Sequence, residues 1–177
     1  MVAIPTLETP RLRLRPYRLD DFDAYAALWA DPGVVRFIGG KPFSREASWT
    51  RFLRQIGLWH HLGFGFFAVE HRQTGAFAGE VGFHDLRRAI TPSLEGTMEV
   101  GWVVTAAMQG QGLAEEAMRA ALGWAGAHGV GTRLTCMIGP GNVASLRLAG
   151  KLGFAEFAHT TYNGASVVLL ERPRQSA

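Results

Sequence analysis

Two rhythms of apolar and polar residues run along the chain. From Arg11 to about Arg18 they alternate, with Arg11, Arg13 and Arg15 on one side and Leu12 and Leu14 on the other, which is the period of a strand with one apolar face. Asp20 then offers a helix N-cap, and Phe22, Tyr25, Ala26 and Trp29 follow at helical spacing up to a stop at Asp31-Pro32. Ser44 caps a second expected helix, in which Trp49, Phe52, Leu53, Ile56 and Trp59 share a face, ending near His61 to Gly63. That stripe reads as core or as the wall of a pocket.

At Phe64 the period changes to that of strands. Phe64 to His71 and Ala76 to His84 read as a hairpin about Gln73-Thr74-Gly75, and a third strand, Thr97 to Thr105, follows a polar loop containing Pro92 and Gly96. Leu113 to His128 is a long Ala-rich helix, which lets Arg133 to Ile138 pair parallel to the preceding strand. A helix from about Asn142 to Leu152 and strands near Phe154 to Ala158 and Ser166 to Glu171 complete an α/β arrangement with a mixed sheet. With no internal repeat, low-complexity stretch or linker, residues 1–177 read as a single domain.

Composition narrows the function classes. Across 177 residues, 47% hydrophobic and 19% charged residues are globular proportions. Apolar runs such as Phe64 to Val69 are too short to span a bilayer, and the N-terminus lacks a secretory pattern, so we expect a soluble cytoplasmic protein with no membrane partner. The single cysteine, Cys136, permits no internal disulfide and reads as a small buried thiol. A formal charge of +3 suits a polyanionic small molecule without arguing for nucleic acid. The densest basic stretch, Arg11 to Arg15, reads as a solvated strand face, and neither an aromatic RNA-binding strand nor zinc-ligand spacing accompanies it.

Candidate chemistry begins at Gln109-Gly110-Gln111-Gly112-Leu113-Ala114, between a strand and the long helix. Glycines there let the backbone approach a ligand, and the first amides of a helix are unpaired donors at the positive end of its dipole, an arrangement that binds phosphate. The dinucleotide fingerprint GxGxxG fails, because Glu115 stands where its third glycine is needed and the turn comes late in the chain. A P-loop is excluded as well, since neither Gly-Lys-Ser nor Gly-Lys-Thr occurs.

Gln109, Gly112 and Ala114 match the signature of the GNAT superfamily of acyl-CoA-dependent N-acyltransferases: Gln or Arg, two residues, Gly, one residue, then Gly or Ala. Met98-Glu99-Val100-Gly101-Trp102 resembles the strand before that turn. Asn142-Val143-Ala144-Ser145 and Lys151-Leu152-Gly153-Phe154 resemble the later helix and turn. Thr9-Pro10-Arg11-Leu12-Arg13-Leu14-Arg15 and Ala30-Asp31-Pro32 are similar to the Rim-type branch, the ribosomal-protein N-terminal acetyltransferases. The resemblance implies a GNAT-like, mostly antiparallel sheet of about six to seven strands with flanking helices. It also implies an acetyl-CoA-dependent N-acetyltransferase acting without a metal on a primary amine, such as a protein N-terminal amine. A small-molecule or antibiotic amine, a noncatalytic acyl-CoA sensor and a homodimer stay open.

Carried over residue by residue, the resemblance assigns the coenzyme A pyrophosphate to the amides of Gly110, Gln111, Gly112, Leu113 and Ala114, with Gln109 opening the turn. Gln111 stands where Lys or Arg is frequent in relatives, so the phosphate contact leans on backbone. The pantetheine arm is expected to pair like an extra strand with Trp102, Val103 and Val104, in a gap before the strand at Leu134. An alkylammonium of pKa near ~10 needs a base at pH 7. Glu99 is the first candidate, an acid inside an apolar strand where burial is expected to raise its pKa toward neutrality, and His84 is the second. A backbone amide near an irregularity at Gly101-Trp102 is the expected oxyanion donor. The tyrosine that many relatives use toward the departing thiolate is replaced by Ala149. Rim-type relatives carry a serine matching Ser145, which is assigned as thiol partner, with Asn142 as a cofactor contact. Trp29, Phe37, Trp49 and Trp59 are candidate walls for the acceptor, and equally good core.

Overall fold

A computed structural model describes residues 3–128 and 133–172. Eight strands form one sheet in the order β1-β2-β3-β4-β5-β6-β8-β7, antiparallel throughout except for the parallel pair β5 and β6. The strands are β1 (Leu7–Glu8), β2 (Leu12–Arg15), β3 (Phe66–His71), β4 (Phe77–His84), β5 (Met98–Val104), β6 (Leu134–Ile138), β7 (Ala155–Tyr162) and β8 (Ala165–Arg172). One more strand is present than the upper end of the sequence expectation. The two-residue β1, too short to show any period, pairs with Leu14 and Arg13 of β2.

The helices are α1 (Phe22–Ala30), α2 (Pro32–Val35), α3 (Arg45–Leu62), α4 (Leu113–Ala127) and α5 (Val143–Lys151). Asp21 rather than Asp20 is the N-cap residue of α1, and Asp31 both ends α1 and caps α2 by accepting from Gly33 N. Ser44 Oγ accepts from Ala47 N at 3.1 Å to start α3, and Gly63 ends it in a left-handed conformation, as a C-terminal glycine does.

Alternation along β4 and β5 divides the sheet into two faces. Val81, Phe83, Met98 and Val100 pack with Ala117, Met118 and Ala121 of α4. Val103 faces the other way, into a cluster with Tyr25, Trp29 and Phe52 of α1 and α3. Trp59, at the far end of α3, reaches Phe67 and Trp124 with ring centroids 5.0 and 5.2 Å away.

Two expectations hold only in part, for reasons of packing. In α3, Phe52 and Trp59 are buried, whereas Trp49, Leu53 and Ile56 are exposed, so the five residues do not form one core stripe. Successive positions turn by 100° and the helix is covered on one side only. Of the arginines expected on a solvated face, Arg11 is exposed and Arg13 partly exposed, whereas Arg15 is not solvated. Arg15 is buried against Asp21 and Glu70, each at 2.7 Å, and Arg13 pairs with Glu8 and Glu70. Burying a guanidinium requires such partners, and both carboxylates stand on elements the strand period cannot reveal. Cys136 is buried, and burial followed by the charge of Glu99 raises its thiol pKa.

Candidate active site

The site begins where β5 and β6 part. Only Met98 with Leu134 and Glu99 with Thr135 are paired across these strands. Beyond them β5 pairs only with β4, and β6 only with β8, so the two strands open as a V. The closed end is pinned by a 2.8 Å hydrogen bond between the buried hydroxyls of Thr97 and Thr135. Past it, Trp102, Val103 and Val104 present one backbone edge that no strand covers, and an unpaired strand edge is a template for an extended ligand. The register of β4 with β5 runs continuously through Gly101 and Trp102, so the irregularity expected there is absent. Divergence of β6, rather than a bulge, is what uncovers this edge.

At the wide end of the V lies the glycine-rich turn. Gly110 and Gly112 have φ of 75° and 74°, a left-handed conformation that glycine adopts without a Cβ clash, and Gly112 is the N-cap residue of α4. Among the described residues, the amides of Gly112, Leu113, Ala114 and Glu115 donate to no protein acceptor, as the first turn of a helix leaves them. The side chain of Gln111 folds back to donate to Ala107 O at 2.9 Å. A cation stands beside the turn all the same. Arg11 donates from Nη1 to Gln111 O at 2.9 Å, pairs through Nε with Glu116 of α4 at 2.6 Å, and brings Nη2 to 3.7 Å from where a Cβ on Gly112 would sit. Thr9 Oγ1 donates to the same Glu116 at 2.6 Å. Arg11 is therefore tied to the glycine-rich turn, a contact that the alternation of Arg11 to Arg15 did not disclose.

α5 borders the V on its β6 side. Asn142 Oδ1 accepts from Ser145 N at 3.2 Å, capping α5, and Trp102 Nε1 donates to Ser145 Oγ at 3.3 Å. Trp102 thus reaches across the gap to the residue assigned to the thiol. Phe37, on the loop after α2, comes within 3.3 Å of where a Cβ on Gly141 would sit, so that loop crosses toward the end of β6. Of the four candidate walls, Trp29 and Trp59 are core, while Phe37 and Trp49 are partly exposed.

Glu99 and His84 face each other across β4 and β5 at the closed end of the V. Arg88 grips Glu99 with two bonds, Nε to Oε2 at 2.7 Å and Nη2 to Oε1 at 3.0 Å, and stacks over Tyr162 at 5.0 Å. His84 Nε2 lies 3.1 Å from Glu99 Oε1, within ion-pair range. Burial pushes the Glu99 carboxyl upward, but His84 and then Arg88 outweigh it and hold it at about 2, from an ordinary 4.5. The expected rise toward neutrality is corrected: burial acts with the expected sign, and the sequence did not reveal Arg88 as a partner. His84, 7% exposed, keeps both ring nitrogens buried without a hydrogen bond among the described residues.

Next to this pair, on the α1 and α3 side, sits a second polar cluster. Glu80 of β4, fully buried, accepts from Tyr17, from Arg51 Nη2 at 3.3 Å and from Gln55 Nε2 at 3.3 Å. The Arg51 guanidinium lies 3.9 Å from the Trp29 ring centre. Nothing in the sequence marked Glu80, which a strand period treats as one more polar position.

Known proteins bear on this geometry. A family model described as an acetyltransferase (GNAT) domain matches residues 11–155. A structure described as a GNAT-family acetyltransferase from Bordetella pertussis is 33% identical, with a TM-score of 0.83, covering 95% of this chain and 99% of that one. An acetyltransferase from Agrobacterium tumefaciens is 27% identical, with a TM-score of 0.84, covering 97% and 96%. RimL, the ribosomal L7/L12 α-N-protein acetyltransferase, in complex with coenzyme A shares the fold at 17% identity, with a TM-score of 0.77 over 95% of this chain and 97% of that one.

Proposed function

The chain belongs to the GNAT acetyltransferase family, and its reaction is acetyl transfer to an amine; from that premise we propose which residues carry each part of it. One observation supports the reading above the others: the uncovered edge of β5 leads from the free amides of α4 down to the His84 and Glu99 pair. Gly112 to Ala114, with Gly110 and Gln111 shaping the turn and Arg11 adding charge, hold the pyrophosphate of acetyl-CoA. Trp102 to Val104 align the pantetheine arm, and Asn142 and Ser145 border it. When bound, acetyl-CoA supplies a thioester whose carbonyl carbon accepts the amine.

A carboxylate held at about 2 is a poor acceptor for a proton from an ammonium near ~10. We assign the base to His84 instead, with Glu99 3.1 Å away to stabilise the imidazolium that forms and neither ring nitrogen engaged in a hydrogen bond among the described residues. A backbone amide of the uncovered β5 edge serves the developing oxyanion, and Ser145 Oγ serves the thiolate. The acceptor in this reading is a primary amine. A peptide N-terminus is the leading class because the RimL fold neighbours are named for acting on one.

CoA release measured over a panel of amines tests the assignment. His84→Gln is expected to keep acetyl-CoA binding and lower turnover by roughly 10²-fold at neutral pH, the scale of a positioned base, with the deficit shrinking as pH rises and free amine accumulates. A deficit constant with pH would remove His84 from proton transfer.

A further inference from the structure

The acceptor must reach the closed end of the V from the α3 side, because the opposite side of β5 is packed against α4. Arg51 and Gln55 of α3 touch Glu80, and Trp59 Nε1 donates to Phe66 O, beside Gly82 of β4. α3 therefore runs along β4 from Glu80 toward His84, and Arg54 lies on the stretch between. Three guanidiniums, Arg51, Arg54 and Arg88, line this approach. Glu80 is taken by Arg51, Tyr17 and Gln55, and Glu99 by Arg88 and His84. Arg54 is left over: it forms no ion pair and no hydrogen bond among the described residues and is solvent-exposed. Partial burial and then the neighbouring Arg51 lower its pKa, against Tyr25 and Glu80 acting the other way, which places it beside the Glu80 cluster. A further donor, Arg51 Nε, is buried without an acceptor.

From this surplus of donors over acceptors, and resting on the transferase reading above, we infer that the acceptor amine carries an anionic group, a carboxylate, that docks on Arg54 beside Arg51. A guanidinium offers a carboxylate a planar pair of donors, and one whose own chain supplies no acceptor has that pair free. With Glu80 and Glu99 already paired to Arg51 and Arg88, the approach offers no free carboxylate to a polycationic amine of the aminoglycoside kind, and Arg54 repels it. Two sources supply the required chemistry: a small amino acid with its own carboxylate, or a peptide N-terminus followed closely by an acidic side chain.

Matched pairs test this. Amino acids of increasing length are compared with their carboxamides, and short peptides bearing Glu at the second or third position with the same peptides bearing Gln, by CoA release and by calorimetry in the presence of CoA. The carboxylate member is expected to lead by roughly tenfold or more in kcat/KM and in affinity, the scale of a charge-assisted hydrogen bond, and whichever series shows the gap identifies the source. Arg54→Gln should erase the gap, Arg54→Lys restore part of it and Arg54→Glu reverse it, all with unchanged acetyl-CoA affinity. Carboxamides used as well as carboxylates, with normal acetyl-CoA binding, would overturn the inference alone. Absence of acetyl-CoA binding together with no CoA release from any amine would overturn the transferase reading and this inference with it.

Discussion

Glu99→Gln removes one charge at nearly constant volume from a side chain that is 6% exposed. In the folded chain its carboxyl is held at about 2 against an ordinary 4.5. Because the folded value is depressed, the ionised form stabilises the fold: the contribution is fully present above about pH 4.5 and is lost as pH falls through about 2. At about 1.4 kcal/mol per pH unit the difference amounts to about 3 kcal/mol at neutral pH. For a chain of 177 residues that corresponds to a fall in Tm of roughly 6–12 °C. Loss of the two Arg88 bonds to the carboxylate is part of this figure rather than an addition to it. Thermal unfolding of both proteins, followed by circular dichroism from pH 7 to pH 2, provides the assay. Wild type should lose stability between about pH 4.5 and 2 more steeply than the variant, so that the two curves converge in acid. A variant within about 2 °C of wild type at pH 7, with the same acid slope, would refute the reasoning, because Glu99 would then not be held as the geometry requires.

Three further outcomes follow from the same geometry. Arg11→Gln cuts the contacts to Glu116 and Gln111 O, so KM for acetyl-CoA should rise roughly 5- to 20-fold with kcat little changed; a kcat loss at constant KM would place Arg11 outside the turn. Ser145→Ala should lower turnover while leaving the pH dependence of amine deprotonation intact, since it acts at the thiol end, and wild-type rates would remove it from catalysis. Asn142→Ala should cost about 1 kcal/mol through loss of the α5 cap, read as a small drop in Tm, and an unchanged Tm would deny the cap any weight.

Much of the fold was legible because local rules governed it. Short strand-like runs broken by turn residues marked β3, β4 and β5, Ser44 and Gly63 bounded α3, and the Ala-rich run before β6 required a parallel crossover. The turn at Gly110 to Ala114 could be read because its special backbone needs glycine. The rest depended on partners remote in sequence. Arg11 meets Glu116 across 105 positions, and nothing in the run from Arg11 to Arg15 distinguishes it from a purely solvated residue. The fate of Glu99 was set by His84 across the strand pair and by Arg88, eleven positions earlier on an irregular loop, so burial alone predicted the wrong sign. In α3 the apolar spacing did not say which side of the helix the sheet would cover, and Trp49, Leu53 and Ile56 came out exposed.

Calorimetric titration of acetyl-CoA into wild type and into Gly112→Val tests the central claim most directly, with Gly112→Asn alongside, a residue that tolerates the left-handed backbone. Saturable binding at one site is predicted for wild type. In folded Gly112→Val it should weaken by roughly tenfold or more, because a β-branched residue strains the turn that presents the amides, while Gly112→Asn should retain more affinity than Gly112→Val. Wild type that does not bind acetyl-CoA, or a folded Gly112→Val that binds it as tightly as wild type, would contradict the account.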